Sequence, residues 1–249
     1  RGLALMSLSP PTEDLTDEAR QTFERLVAEA PKTPQAAHGA LMLGRLAEMR
    51  NHPGDEIDLD TARKHYQRVT EQWPTLETAD EAAWRLASTY VQQFEDEQAM
   101  RRGVAYLEQW LAERPDNPLA GGMWQYLGDT YAVYLKDTAA AVRCYLKADE
   151  VGLLSPTKAD RMYWQVARLS EDLGDIATAV RYYTKVVQDT PRSGLTFVAQ
   201  LAVRRLKKAH PDMEIVVPPL EEFIQSDVGE AEEAEEDEPA ESTDAEAGP

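Results

Sequence analysis

A phrase of the form small-x-x-x-(aromatic or Leu)-x-x-apolar recurs five times along this chain. The copies are Ala19/Phe23/Leu26, Ala62/Tyr66/Val69, Gly103/Leu107/Trp110, Ala141/Tyr145/Ala148 and Ala179/Tyr183/Val186. Four copies run into a proline (Pro31, Pro74, Pro115 and Pro191), and in each the small residue lies twelve positions before it. The remaining copy has Leu153 at that place. A long fixed period means a stacked array, in which each unit buries its apolar face only against its neighbours.

Upstream of four of these phrases stands a second step, (aromatic or Ala)-x-x-(Leu or Val)-(Gly or Ala). Its copies are Ala40/Leu43/Gly44, Ala83/Leu86/Ala87, Trp124/Leu127/Gly128 and Tyr163/Val166/Ala167. Spacings of three and four place each set on one face of a helix. The small residues Gly44, Ala87, Gly128 and Ala167 are expected to face Ala62, Gly103, Ala141 and Ala179 on the partner helix, bringing the two helices close. Helices are predicted near 16–29, 34–50, 59–72, 78–94, 98–113, 118–135, 138–149, 156–172, 176–189 and 192–209. Ser155-Pro156 reads as a cap plus first-turn proline. Gly174-Asp175 ends one helix and caps the next, and Asn51-His52-Pro53-Gly54 is a break. Apart from Ile215-Val216-Val217, no stretch alternates long enough for a strand.

The unit Tyr163, Val166, Ala167, Ala179, Tyr183, Val186, Pro191 resembles the tetratricopeptide (TPR) pattern W-x2-L-G-x2-Y…A-x3-F…P, two antiparallel helices per repeat. The resemblance covers roughly residues 1–210 and is specific for fold rather than function. It implies an all-α, right-handed solenoid of helix pairs. The gap between the two small residues is 18, 16, 13 and 12 in the four units, against 12 in the family. The surplus falls in loops such as 51–56 and 94–97, where closure entropy grows slowly with length.

Three segments are expected. Residues 1–33 hold a partial repeat, in which Ala4-Leu5-Met6 echoes Ala40-Leu41-Met42 as the remnant of a truncated first helix. The rival reading of residues 1–9 is the remnant of a signal or membrane anchor, although eight or nine residues are too few to span a bilayer. Residues 34–210 hold four repeats and a capping helix. Residues 211–249 form a proline-stiffened linker and then a tail, 221–249, with 13 acids and no Lys or Arg. Such a composition cannot offset its ordering entropy, so disorder is expected there. Setting those 13 aside leaves 32 of the 45 acids against 26 basic residues, a body near −6 rather than the −19 of the whole. Without a basic excess the body is not expected to bind nucleic acid. The tail is expected to act as a solvating segment or, secondarily, to contact a basic partner.

Chemistry-bearing motifs are sparse. The histidines His38, His52, His65 and His210 are scattered. The run Asp55–Asp60 lacks the glycine turn and distal glutamate of a calcium loop, and reads as a solvated loop with Asp58 as a helix cap. Gly121-Gly122 is not followed by the Lys-Ser/Thr of a phosphate loop. The lone Cys144 permits no intramolecular disulfide, and its place beside Tyr145 in a helix reads as an inert thiol, with a redox role as the alternative. No catalytic residue, metal or cofactor is assigned.

In TPR proteins the residues one and five places after the first pattern position of helix A tend to line the concave groove. Carried over, the resemblance nominates Leu41, Trp84, Gln125 and Trp164, then Arg45, Ser88, Asp129 and Arg168. The tryptophans would anchor a peptide and the arginines would contact a carboxylate, unless the tryptophans simply pack between helices. The Lys/Asn set of carboxylate-clamp TPR domains is absent at these positions. The Pro-plus-polar openings 31–37, 74–79, 115–120 and 191–195 look like those of bacterial envelope TPR proteins, such as outer-membrane assembly lipoproteins and Tol-associated periplasmic factors. That implies the envelope or periplasm ahead of the cytoplasm. The expected function is a non-enzymatic scaffold gripping a protein segment. The alternatives are a regulatory or targeting segment of a larger enzyme or envelope complex, and self-association through uncapped ends.

Overall fold

The computed structural model describes residues 1–7, 12–93, 96–152 and 159–220. Among these residues eleven α-helices follow one another: α1 (Gly2–Met6), α2 (Glu13–Glu29), α3 (Pro34–Glu48), α4 (Leu59–Gln72), α5 (Glu77–Val91), α6 (Glu97–Glu113), α7 (Ala120–Thr130), α8 (Thr138–Val151), α9 (Ala159–Asp172), α10 (Ile176–Asp189) and α11 (Thr196–Ala209). No strand occurs among the described residues, and Ile215–Val217 are extended without a sheet partner. Every helix predicted from the repeat spacing is present. The expectations for Ser155-Pro156, Leu153 and the acidic tail lie outside the described residues.

Helices pack with their sequence neighbours, as α3/α4, α5/α6, α7/α8 and α9/α10, so the fold is an all-helical solenoid. The buried side chains divide into three successive clusters: α2 to α5 with Trp110 of α6, then α5 to α8, then α8 to α11 with Ile215. A quasi-one-dimensional array has no single centre.

Local chemistry explains where helices start. Each second helix of these four pairs opens on an aspartate whose carboxylate accepts from a first-turn N–H. The bonds are Asp58 to Thr61 N (2.9 Å), Asp96 to Ala99 N (2.9 Å), Asp137 to Ala140 N (2.9 Å) and Asp175 to Thr178 N (3.1 Å). Each cap satisfies an otherwise orphaned donor and places negative charge at the positive end of the helix, for about 1 kcal/mol.

The packing inside a pair differs from the sequence expectation in one respect. Gly44 and Gly128 do not face the small residue of the partner helix. They face its aromatic ring. A Cβ on Gly128 would stand 2.5 Å from the Tyr145 ring, and one on Gly44 would overlap the Tyr66 ring. Gly103 does lie against Ala87, where a Cβ would come 2.8 Å from the Ala87 carbonyl oxygen. The glycine of the first helix is thus a seat for the ring of the second. The ring's hydroxyl then donates across the pair: Tyr145 to Asp129 at 2.6 Å, Tyr183 to Glu171 at 3.3 Å, and Tyr66 to Glu48.

The end of α7 departs from a regular helix. Residues Tyr131–Leu135 form a π-helical turn, and Lys136 closes it in the left-handed conformation with φ 54°. Glycine usually takes that place, because a Cβ there costs roughly 1–2 kcal/mol. The 211–249 linker is less free than expected at its start. Ile215 is buried, Met213 and Val217 pack on the last cluster, and the Gln200 amide donates to the Pro218 carbonyl at 2.8 Å. Residues 213–218 therefore close the end of the solenoid.

Gly128→Ala should lower stability by about 1–3 kcal/mol through overpacking, and adding Tyr145→Leu should recover part of it, as Leu107 already sits opposite Ala87 in the second unit. Lys136→Gly should raise stability by about 1 kcal/mol. Urea titration followed by circular dichroism reads both.

Candidate groove on the first-helix face

The first helices α3, α5, α7 and α9 carry the nominated residues, and four of these line two clefts. The first, about 440 Å³, is lined by Glu48, Glu81, Trp84, Arg85, Ser88, Leu119 and Tyr126, from α3, α5 and α7 with its N-cap. Trp84 is half-buried and meets Tyr126 edge-on, with centroids 6.1 Å apart. Arg85 is held between Glu81 (2.8 Å) and Glu48 (3.3 Å). Its guanidinium pKa is raised: burial opposes the charge, but the Glu81 hydrogen bond and the Glu48 charge outweigh it.

The second cleft, about 420 Å³, lies between α9 and α11 and is lined by Trp164, Arg168, Glu171, Asp172, Tyr183, Val198, Leu201, Ala202 and Arg205. Trp164 packs edge-on against Tyr183, with centroids 5.2 Å apart, and remains half-buried. Arg205 makes a two-pronged bond to Glu171, both arms 2.7 Å. That bond, first of its causes, holds the Glu171 carboxyl below the ordinary glutamate range. Arg168 is exposed and makes no ion pair among the described residues.

The nominated residues therefore separate. Trp84 with Ser88, and Trp164 with Arg168, line the clefts. Leu41 does not: it is 1% exposed, because α3 lies among α2, α4 and α5 and buries nine of its residues. Arg45 is half-buried, and its Nε is enclosed without a hydrogen-bond partner. Gln125 and Asp129 line neither cleft. The surrounding protein desolvates the Asp129 carboxylate and raises its pKa despite the bond from Tyr145. Its role is to hold that tyrosine.

Tyr126, Leu201 and Arg205 were not nominated, and for the last two a signal was present. In the first three units the first pattern residue lies nine positions after the preceding proline: Pro31 to Ala40, Pro74 to Ala83, Pro115 to Trp124. Nine positions after Pro191 is Gln200, which makes α11 a fifth first helix. Its residues one and five places on are Leu201 and Arg205, and both line the second cleft.

Elsewhere the chemistry is quiet. Among the described residues no group of three or more His, Cys, Asp or Glu side chains could hold a metal ion, and no helix is long and apolar enough to cross a membrane. Burial raises the Cys144 thiol pKa to about 12.

The family description "Tetratricopeptide repeat" matches residues 160–188, the span of the α9/α10 pair. That pair is the stretch of the chain similar to a tetratricopeptide repeat. The same antiparallel neighbour pairing recurs in α3/α4, α5/α6 and α7/α8. Among solved structures, similarity extends to MamA (19% identity, TM-score 0.49, 72% of this chain and 91% of that chain). It extends also to TTC0263, a thermophilic TPR protein in Thermus thermophilus (21% identity, TM-score 0.37, 82% of this chain and 94% of that chain). No curated protein matches.

Two measurements check these electrostatics. Because Arg205 depresses the Glu171 pKa, the pair stabilises above the unfolded glutamate value and is lost as pH falls through the folded one. Arg205→Ala should therefore lower the melting temperature near pH 7 and make no difference near pH 2. Native Cys144 should resist a disulfide reagent at about pH 8 and react once unfolded, as absorbance at the released thiolate would show.

Proposed function

We propose that this TPR protein is a non-enzymatic scaffold that grips an extended or helical segment of a partner protein along its first-helix face. TPR proteins generally bind protein partners. The observation that carries the reading is the pairing of half-buried aromatics with charge in both clefts. Trp84 and Tyr126 stand beside Glu48, Glu81 and Arg85, while Trp164 and Tyr183 stand beside Arg168 and Arg205. Aromatic and arginine side chains in partly desolvated pockets are the commonest anchors of protein interfaces.

The two ends differ in charge. The first cleft carries two carboxylates against one guanidinium, and the second balances Glu171 and Asp172 with Arg168 and Arg205. A ligand segment with apolar side chains and a carboxylate nearer the α11 end would match both. The Pro-plus-polar helix openings support a bacterial cell-envelope setting for this scaffold.

The test is affinity capture with the full chain beside two variants, Trp84→Ala/Trp164→Ala and Arg168→Glu. The arginine change lies on an exposed side chain. Loss of one shared captured protein in both variants, with helical content unchanged, supports groove binding. Equal capture by all three forms refutes it and moves binding to the second-helix face or the loops.

A further inference from the structure

The second helices carry a recurring cation, and one of them lacks it. Six places after the small residue of α4, α6, α8 and α10 stand Arg68, Gln109, Lys147 and Lys185, so only in α6 is that position uncharged. Lys147 lies 4.3 Å over the ring of Trp124, and Lys185 lies 4.4 Å over the ring of Tyr163. Both rings stand at the first pattern position of the first helix in the same unit. In the α5/α6 unit ring and lysine are missing together: Ala83 stands in place of the ring and Gln109 in place of the lysine. Lys185 also bonds Asp149 of the preceding second helix at 2.7 Å, and Tyr182 donates to the same carboxylate at 2.7 Å. Counted from the small residues in the same way, Asp149 becomes Thr70 in α4 and Tyr182 becomes Tyr106 in α6.

At this place lies a cleft of about 470 Å³ between α4 and α6, whose walls include Glu71, Tyr90, Tyr106, Gln109, Trp110 and Glu113. Tyr90 and Trp110 already carry cations of the chain, Arg63 at 4.3 Å and Arg114 at 3.6 Å. Tyr106 carries none among the described residues. Glu71 makes no ion pair among the described residues, while Glu113 accepts from Gln109 at 3.0 Å and has Arg114 at 3.8 Å. Burial raises the Tyr106 pKa against the pull of Thr70 and Arg114, and the charges of Glu71 and Glu113 raise it further. Both carboxylates thus act on the ring that lacks a cation.

We propose that this cleft is a second binding site, which takes the side chain of a lysine from a partner protein. That lysine supplies what Lys185 supplies in the last unit: an ammonium over a tyrosine ring, here Tyr106, bonded to a carboxylate, here Glu71. Its methylene stem lies in the apolar wall while the charged head meets the acids. Charge selects a cation, since two carboxylates face the one guanidinium of Arg102, which has its own acid in Asp96 at 3.8 Å. The chain's own occupants, Lys147 and Lys185, select lysine over arginine. The cleft shares no lining residue with the two clefts of the first-helix groove, so it stands whether or not that groove binds.

The test is an amide-shift titration of the full-length 15N-labelled chain with Nα-acetyl-lysine N-methylamide, beside its neutral Nε-acetyl counterpart. The charged probe is expected to give saturable shifts at Gln67, Glu71, Tyr106, Gln109 and Glu113, and the neutral probe none there. Gln109→Lys, which supplies the cation from the chain as Lys185 does, should abolish those shifts. Gln109→Glu adds a carboxylate and should tighten binding several-fold, whereas Glu71→Gln should weaken it several-fold. Both positions are exposed, and unchanged amide shifts in α8 to α11 verify the fold of each variant. The proposal is overturned by the absence of saturable shifts, by an equal response to the neutral probe, or by binding that survives Gln109→Lys. n-Pentylammonium bound more tightly than the capped lysine overturns it as well, by assigning the cleft to a free amine.

Discussion

The contact on which the helix pairs depend is a ring pressed against a helix backbone where no side chain stands. Tyr66 over Gly44 and Tyr145 over Gly128 leave no room for a Cβ. Close approach of that kind fixes the separation and the rotation of the two helices together. The phenol then reaches past the seat to a carboxylate on the first helix, which it can meet only when the ring is fully inserted. Burial and the adjoining carboxylate push the Tyr145 phenol far above its ordinary value, so it donates at every physiological pH. A glycine seat, a ring and an acid thus set the geometry of the α3/α4 and α7/α8 pairs locally, without reference to distant parts of the chain.

The joins between units use different chemistry. Arg63 of α4 reaches Thr89 of α5, donating to its hydroxyl at 3.1 Å and its carbonyl at 2.8 Å, while lying over the Tyr90 ring. Lys185 of α10 bonds Asp149 of α8 at 2.7 Å and lies over Tyr163 of α9. Arg114, just after α6, donates to the Pro74 carbonyl at 3.2 Å while covering the Trp110 ring at 3.6 Å. Cations on aromatic faces suit such joins, since the long side chain buries its stem while its head stays hydrated. The same residue types recur in the clefts, where Arg168 has no such partner.

The array was legible because its signals are local: a proline at a fixed distance, a small residue opposite a ring, an apolar spacing of three and four. The caps were half legible. Asp58 and Asp175 stand beside obvious breaks, whereas Asp96 and Asp137 follow long helices with no glycine or proline between, and only the register identifies them. Leu41 was misplaced because a family rule about the groove assumes that the neighbouring unit leaves that face open, and α3 is enclosed on several sides. Leu201 and Arg205 were overlooked for the converse reason. A last helix reads as a cap, yet its position relative to Pro191 continues the register of the first helices. Burial depends on which neighbours exist, and a single-sequence pattern carries that only indirectly.

The division of the apolar interior into three consecutive clusters bears on how such a chain can change over evolutionary time. A unit whose buried side chains touch only the units on either side can be duplicated or removed without repacking the rest. The length of the groove, and the number of aromatic positions along it, can therefore vary in steps of one helix pair. The terminal elements must remain what they are: α1 folded across α2, and residues 213–218 folded back on α10 and α11. Lineages of this chain should differ in the count of middle units more readily than in the sequence of their ends.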